Sequence, residues 1–179
     1  CTSYHRHNEQ GKSDFMLAML REGKNVALVS DAGAPGISDP GFFVIQAAIG
    51  SGIEVVPVPG PSACIAALVV SGLPADRFVF EGFLPRHRKQ RREALEELKN
   101  EPRTLVFYEA PHRLEETLED ILHTMGDRKI ALVRELTKKF EEVMRGSVSE
   151  VLQETKDREI RGEFVLVIGG SEDQVTGEV

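Results

Sequence analysis

Two cysteines in 179 residues, Cys1 and Cys64, are too few for a disulfide framework or a cysteine-based zinc site. Cys64 also sits in an apolar helical run, where a buried thiol is the usual outcome. No apolar run reaches the roughly 18 residues that span a bilayer, and no basic segment precedes an apolar one at the start. These shortages predict a cytoplasmic protein without a membrane partner. The known phosphate cradles are missing too: there is no Gly-x-x-x-x-Gly-Lys-Ser/Thr loop and no Gly-x-Gly-x-x-Gly opening a helix, so ATP hydrolysis and dinucleotide redox chemistry lose their strongest signals. No His-Glu-x-x-His pattern argues for a metal, with His5 and His7 left near the start of the chain, and no Gly-x-Ser-x-Gly elbow argues for a hydrolase.

What is present is an acidic chain of net charge -7, 41% hydrophobic and 28% charged, within the range of ordinary globular proteins. That balance opposes wholesale electrostatic binding of nucleic acid, which needs clustered lysine and arginine. One cluster exists. In Arg86-His87-Arg88-Lys89-Gln90-Arg91-Arg92, five of seven residues are lysine or arginine.

Short apolar runs alternate with amphipathic ones, the pattern of an α/β protein with mostly parallel or mixed sheets. Val26–Val29 reads as a strand, residues 42–49 as a helix and Ile53–Val58 as a second strand. Pro61 or Ser62 opens a helix that runs to Val70, with proline near the first helical position. After Ser71-Gly72-Leu73-Pro74 the character changes, so residues 1–75 and 76–179 are expected to form two small α/β domains in series. The second half offers strands at 78–83, 104–108, 129–134 and 164–168, with 140–145 a weaker candidate. Its helices are read at about 91–99, 114–125 and 147–154, and the polar tail after Gly170 is expected to fray.

The glycine-rich stretch Ser30-Asp-Ala-Gly-Ala-Pro-Gly-Ile-Ser-Asp-Pro-Gly41 follows a strand, where open α/β sheets place their ligands. Gly33, Gly36 and Gly41 permit close approach of backbone, and Asp31 and Asp39 offer carboxylates to hydroxyls or an ammonium. A rigid turn with capping aspartates is the plainer reading. Pro59-Gly-Pro-Ser-Ala63 is a second strand-to-helix turn with free backbone donors and the Ser62 hydroxyl. Tyr108-Glu-Ala-Pro-His-Arg113 is a third, and Arg134-Glu-Leu-Thr-Lys-Lys-Phe140 another polar cluster behind a strand. Arginines at a helix start oppose the helix dipole. An anionic ligand such as an RNA phosphate would remove that conflict, and a solvated charged face is the alternative.

Together with Glu81-Gly-Phe-Leu-Pro-Arg86, these motifs resemble the ribosomal RNA cytidine 2′-O-methyltransferases of the tetrapyrrole methylase superfamily, over nearly the whole chain. The resemblance implies two α/β domains that hold S-adenosylmethionine, commonly in a homodimer, and small-subunit (16S) ribosomal RNA as the acceptor. Carried over by position, Asp31, Ala32, Gly33, Ser62, Ala63, Glu109 and Leu136 would contact the cofactor, with Leu136 standing where a small residue is often found. The family opens with a strand and a Thr-Pro-Ile-Gly-Asn-Leu type loop that this sequence lacks, so the chain is expected to be truncated at its amino end and to bind cofactor weakly or not at all.

Methyl transfer to a ribose hydroxyl needs a collinear approach and a group that takes the hydroxyl proton. Glu109, Glu135 and Lys138 are the candidates for that base. Arg86, Lys89, Arg91, Arg92 and Arg113 are the candidates for holding RNA phosphates. A methylase of a tetrapyrrole or other small molecule, and a non-catalytic RNA-binding module, remain open alternatives.

Overall fold

The computed structural model describes residues 1–156 and 158–171; the expected fraying of the tail beyond Ser171 lies outside the described residues. The chain packs as two compact units, Cys1–Ser62 and Ala63–Val179.

The first unit holds helices α1 (Glu9–Arg21) and α2 (Phe42–Gly50), which pack on each other. Helix α1 was not apparent from sequence. Glu9 in its first turn and Arg21 in its last suit the helix dipole, and Met16 is buried. The segments 26–29 and 53–58, read from sequence as strands, are not strands here. An extended segment becomes a strand only by pairing, and neither has a ladder partner among the described residues. Val26, Leu28 and Ile53 are half-buried, but the remaining side chains stay in solvent, with Val29 81%, Val56 69% and Val58 90% exposed.

The second unit begins with α3 (Ala63–Ser71). It continues through β1 (Phe78–Phe83), α4 (Arg88–Glu97), β2 (Thr104–Glu109), a 3-10 turn (Pro111–Arg113), α5 (Leu114–Met125), β3 (Lys129–Arg134), β4 (Glu142–Ser147), α6 (Val148–Lys156) and β5 (Phe164–Ile168). The five strands form one mixed sheet in the order β1-β2-β5-β3-β4. Only β1 and β2 run parallel; the remaining three pairs are antiparallel, so the parallel share is smaller than the alternating pattern led us to expect. Inserting β5 between β2 and β3 reverses the direction at both neighbours.

Alternation along the strands sends side chains to two faces. Leu105, Phe107, Ile130, Leu132, Leu166 and Ile168 pack with Leu95 of α4, Leu114, Leu118 and Ile121 of α5 and Val151 of α6. Val106, Ala131, Val133, Val165 and Val167 instead face α3, through Cys64, Ala67 and Leu68. Helix α3 therefore packs with the sheet that follows it, although its sequence places it before the Ser71–Pro74 punctuation.

Candidate functional site

Three of the motifs meet at one end of this sheet. Glu109 pairs with Phe164 across β2 and β5, Phe164 with Arg134, and Arg134 with Glu142, so a single row spans four strands. The β3–β4 loop leaves this row at Glu135, whose backbone N–H donates to the Glu163 carbonyl at 3.0 Å. Glu109 and the cluster from Glu135 to Lys138 are thus neighbours in topology while being far apart in sequence.

Their side chains part company. The Glu109 carboxylate is buried and fully engaged: Oε1 accepts from Ala110 N at 2.7 Å and Arg113 Nε at 2.9 Å, and Oε2 from Arg113 Nη2 at 2.9 Å and Thr117 Oγ1 at 2.6 Å. Arg113 donates further to the Leu84 carbonyl at 3.0 Å. Its conflict with the helix dipole is therefore settled by a protein carboxylate. Leu136 packs on the opposite face, in the cluster that contains Cys64 and Ala67 of α3, and Ala63 opens that same helix in an exposed position.

The Glu135 loop is locally strained. Glu135 (φ 47°) and Thr137 (φ 66°) adopt left-handed backbone, which costs a non-glycine residue of order 1–3 kcal/mol. Side-chain bonds compensate. Glu135 Oε1 accepts from Glu163 N at 2.9 Å and Lys138 Nζ at 3.0 Å, and Lys138 also reaches Glu163 Oε2 at 2.9 Å. Gly162 is required beside it, because a Cβ there would stand 2.6 Å from Glu135 Cγ. The bonds from Glu163 and then Lys138 hold the Glu135 carboxyl below its ordinary range, and Glu163 followed by Glu135 raises the Lys138 ammonium.

The basic run resolves differently from its sequence appearance. Arg91 is fully buried, and its Nη2 lies 2.7 Å from Asp120 Oδ2, itself fully buried, and 3.2 Å from Glu116. Arg88 and Arg92 also bond Asp120, at 3.0 and 2.7 Å. Burial pushes the Asp120 carboxyl up, but hydrogen bonds from Arg92, Arg91 and Arg88 outweigh it, and the net direction is down. Three arginines are thus neutralised by α5. Arg91, named from sequence as a phosphate ligand, has no surface to offer one. Lys89 is 87% exposed beside Glu93, and Arg86 is exposed.

In the first unit, Asp31, Ala32 and Gly33 are exposed. The Ser30 hydroxyl closes the loop onto the carbonyls of Ala32 and Gly33, both at 3.2 Å. Gly33 (φ 73°) has open space where a Cβ would stand, whereas a Cβ on Gly41 would meet Gly36 N at 2.8 Å. The loop is therefore folded tightly at its far end and open at Asp31–Gly33. Ser62 is exposed as the unit ends. Sequence reasoning missed Tyr4–Phe15, a folded region carrying cations and an exposed ring; the mixture of Tyr, His, Arg and Lys before a phenylalanine was its available signal. Among the described residues no group of three metal-ligating side chains converges, and no helix is long and apolar enough to cross a membrane.

A mixed five-stranded sheet with helices on both faces and polar loops gathered at one end defines a layered α/β protein. The family model for tetrapyrrole (corrin/porphyrin) methylases matches residues 3–152, and the chain belongs to that family. It is 48% identical over 176 residues to a protein of Halalkalibacterium halodurans named ribosomal RNA small subunit methyltransferase I, covering 98% of this chain and 61% of that one. An Escherichia coli O157:H7 protein of the same name is 51% identical over 173 residues, 95% and 60% of the two chains. The chain thus spans about three fifths of the length of these curated relatives. Among solved structures, the methyltransferase CobJ aligns with a TM-score of 0.66 at 20% identity, over 91% of this chain and 72% of its own. Uroporphyrin-III C-methyltransferase from Thermus thermophilus, complexed with S-adenosylhomocysteine, aligns at 0.59 and 20% identity, over 90% and 73%. At such identities the likeness is one of fold.

Proposed function

We propose that this protein takes part in S-adenosylmethionine-dependent methylation of small-subunit ribosomal RNA, at the 2′-hydroxyl of a cytidine. The observation that carries this reading is the near-half identity, along almost all of the chain, to proteins named for methylating that RNA. The fold alone would not choose an acceptor, since diphthine synthase shares it.

The residues present fit such a cofactor. Asp31 is an exposed carboxylate suited to an ammonium or ribose hydroxyls, and Gly33 leaves open space beside it. Ser62 precedes α3 and Ala63 is its first residue, where backbone N–H groups lack intrahelical partners; half-buried Leu136 is carried over from the resemblance alone. When bound, the cofactor supplies an electrophilic methyl group. The chain must orient the acceptor hydroxyl and accept its proton.

Of the three candidate bases, Glu109 has both oxygens committed, and its role is to position Arg113 and the start of α5. Lys138 is held as an ammonium between two carboxylates and orients the β3–β4 loop. Glu135 keeps Oε2 without a hydrogen bond among the described residues and is the group we assign to the proton. For RNA, Arg86 and Lys89 are exposed enough to meet phosphates, Lys89 from beside Glu93, Arg92 only from its exposed edge, and Arg113 acts through Glu109. A homodimer belongs to the same reading.

Radiolabelled methyl transfer to small ribosomal subunits, free ribosomal RNA and a tetrapyrrole tests the proposal. Label at a cytidine 2′-oxygen is expected. Label on the tetrapyrrole alone would make this a small-molecule methylase, and RNA binding without label would make it a binding module. Sedimentation decides the homodimer.

A further inference from the structure

The amino-terminal residues are not a loose tail. Asn8 ties them into a turn: its Oδ1 accepts from His5 N at 2.8 Å, and its Nδ2 donates to the Ser3 carbonyl at 3.2 Å. The Tyr4 hydroxyl meets Ser13 Oγ at 2.9 Å, and Lys12 Nζ donates to Thr2 Oγ1 at 2.6 Å. Between this turn and α1 lies an open groove of about 580 Å³, lined by His7, Asn8, Gly11, Lys12 and Phe15.

Three features of the groove match the chemistry of a single-stranded nucleotide chain. Phe15 is 55% exposed, and a ring left in water offers a face on which any base can stack. Lys12 Nζ stands over one face of that ring, 5.8 Å from its centroid, and is bonded to Thr2 Oγ1; a base would take the opposite face, and the cation would exchange Thr2 for the adjoining phosphate. Gly11 lies inside α1, where glycine weakens a helix relative to alanine, yet a Cβ there would meet nothing within 4 Å. Internal packing does not call for a glycine at that point; a ligand lying close against the backbone would. The acids of this helix segment, Glu9 and Asp14, do not line the groove.

The groove is joined to the glycine-rich loop. Arg6, between His5 and His7, donates through Nη2 to the Ser38 carbonyl at 3.3 Å. We propose that the groove formed by His7, Asn8, Gly11, Lys12 and Phe15 is an acceptor subsite that holds a nucleotide of the RNA strand flanking the methylated ribose, Phe15 taking the base and Lys12 the phosphate. It rests on the reading of the Ser30–Gly41 loop as part of the methyl-donor site. Single-stranded RNA suits it better than a protein partner, because the lining holds one apolar ring, a cation and a bare backbone, with no second apolar side chain.

The test uses the protein, a fluorescein-labelled cytidine-containing single-stranded oligoribonucleotide, and S-adenosylmethionine calorimetry in parallel. Phe15→Ala should weaken RNA binding at least about fivefold, the lower end for loss of a stacked base, with Phe15→Tyr restoring it. Lys12→Gln should reduce the salt slope of RNA binding by about 0.7, the contribution of one phosphate on a single strand. Gly11→Gln should raise the melting temperature while weakening RNA binding, an opposition that a purely structural role would not produce. Cofactor affinity should be unchanged in all of these. Unchanged RNA affinity in Phe15→Ala and Gly11→Gln overturns the subsite and leaves the donor loop standing. RNA losses as predicted, in a protein that shows no heat with S-adenosylmethionine, retain the subsite and remove the donor reading; no RNA binding by the unaltered protein removes the subsite.

Discussion

Arg91 of α4 and Asp120 of α5 meet at 2.7 Å with both side chains fully buried. A residue that reads as part of a basic surface is therefore a bolt between two helices, and Arg88 and Arg92 gather round the same carboxylate. Breaking one partner of a buried pair leaves the other charge stranded, which costs about 3–5 kcal/mol. Arg91→Ala and Asp120→Ala should each lower the urea midpoint accordingly, whereas exposed Lys89→Ala should stay within about 0.5 kcal/mol. Selective loss of RNA binding by fully folded Arg91→Ala would contradict this assignment.

Glu101 predicts the acid limb of stability. The hydrogen bond from Arg103 is the main cause of its carboxyl being held down to about 2, against an ordinary 4.5. A carboxyl depressed by folding contributes stability that is complete above its unfolded value and lost as pH falls through the folded one. Stability should therefore decline between about pH 4.5 and 2. Glu101→Gln should flatten that limb in a pH series of urea titrations, and an unchanged slope would remove Glu101 from the account.

For Glu109, the expected phenotype is structural before it is chemical. Thr117→Val deletes one neutral donor to a buried carboxylate, and hydrogen bonds to charged groups are worth about 1.5–3 kcal/mol. Thermal unfolding of Thr117→Val should register a loss of that order. Glu109→Gln should lower stability further, since Arg113 then lacks its counter-charge.

Asp31 predicts the reverse pattern. Because the side chain is exposed, Asp31→Ala should leave thermal stability within about 0.5 kcal/mol and weaken S-adenosylmethionine binding in calorimetry. Equal affinity in the variant would take the loop out of the donor site.

Glu135→Gln should depress methyl transfer by about 100-fold or more, the range for loss of a general base, with RNA affinity retained. Lys138→Met should disturb the loop and lower activity less. Equal turnover by Glu135→Gln and the unaltered protein would pass the proton to another group.

Much of the second unit's sheet was legible because β2, β3 and β5 carry apolar runs and α5 carries Leu114, Leu118 and Ile121 at helical spacing; 114–125, 129–134 and 164–168 fall where the pattern puts them, whereas β4, with only Val143 and Met144 apolar, lies at 142–147 and not 140–145. The arginine cluster was not, because the partner that decides its role lies 29 residues away on another helix, and no local pattern carries that pairing. Helix α1 escaped notice since its apolar residues are bunched in one run, 15–20, instead of recurring at helical spacing, and its polar start resembles a tail. The segments 26–29 and 53–58 show the opposite failure: their apolar character is plain, but strand formation is a property of two segments and not of one.

Those same segments have a colloidal consequence. Segments without a ladder partner among the described residues, carrying bare valines at 29, 56 and 58, are a template on which another extended chain can add. Within the described residues these valines are where association at high concentration is expected to begin, and polar substitution at 29, 56 and 58 is what would oppose it.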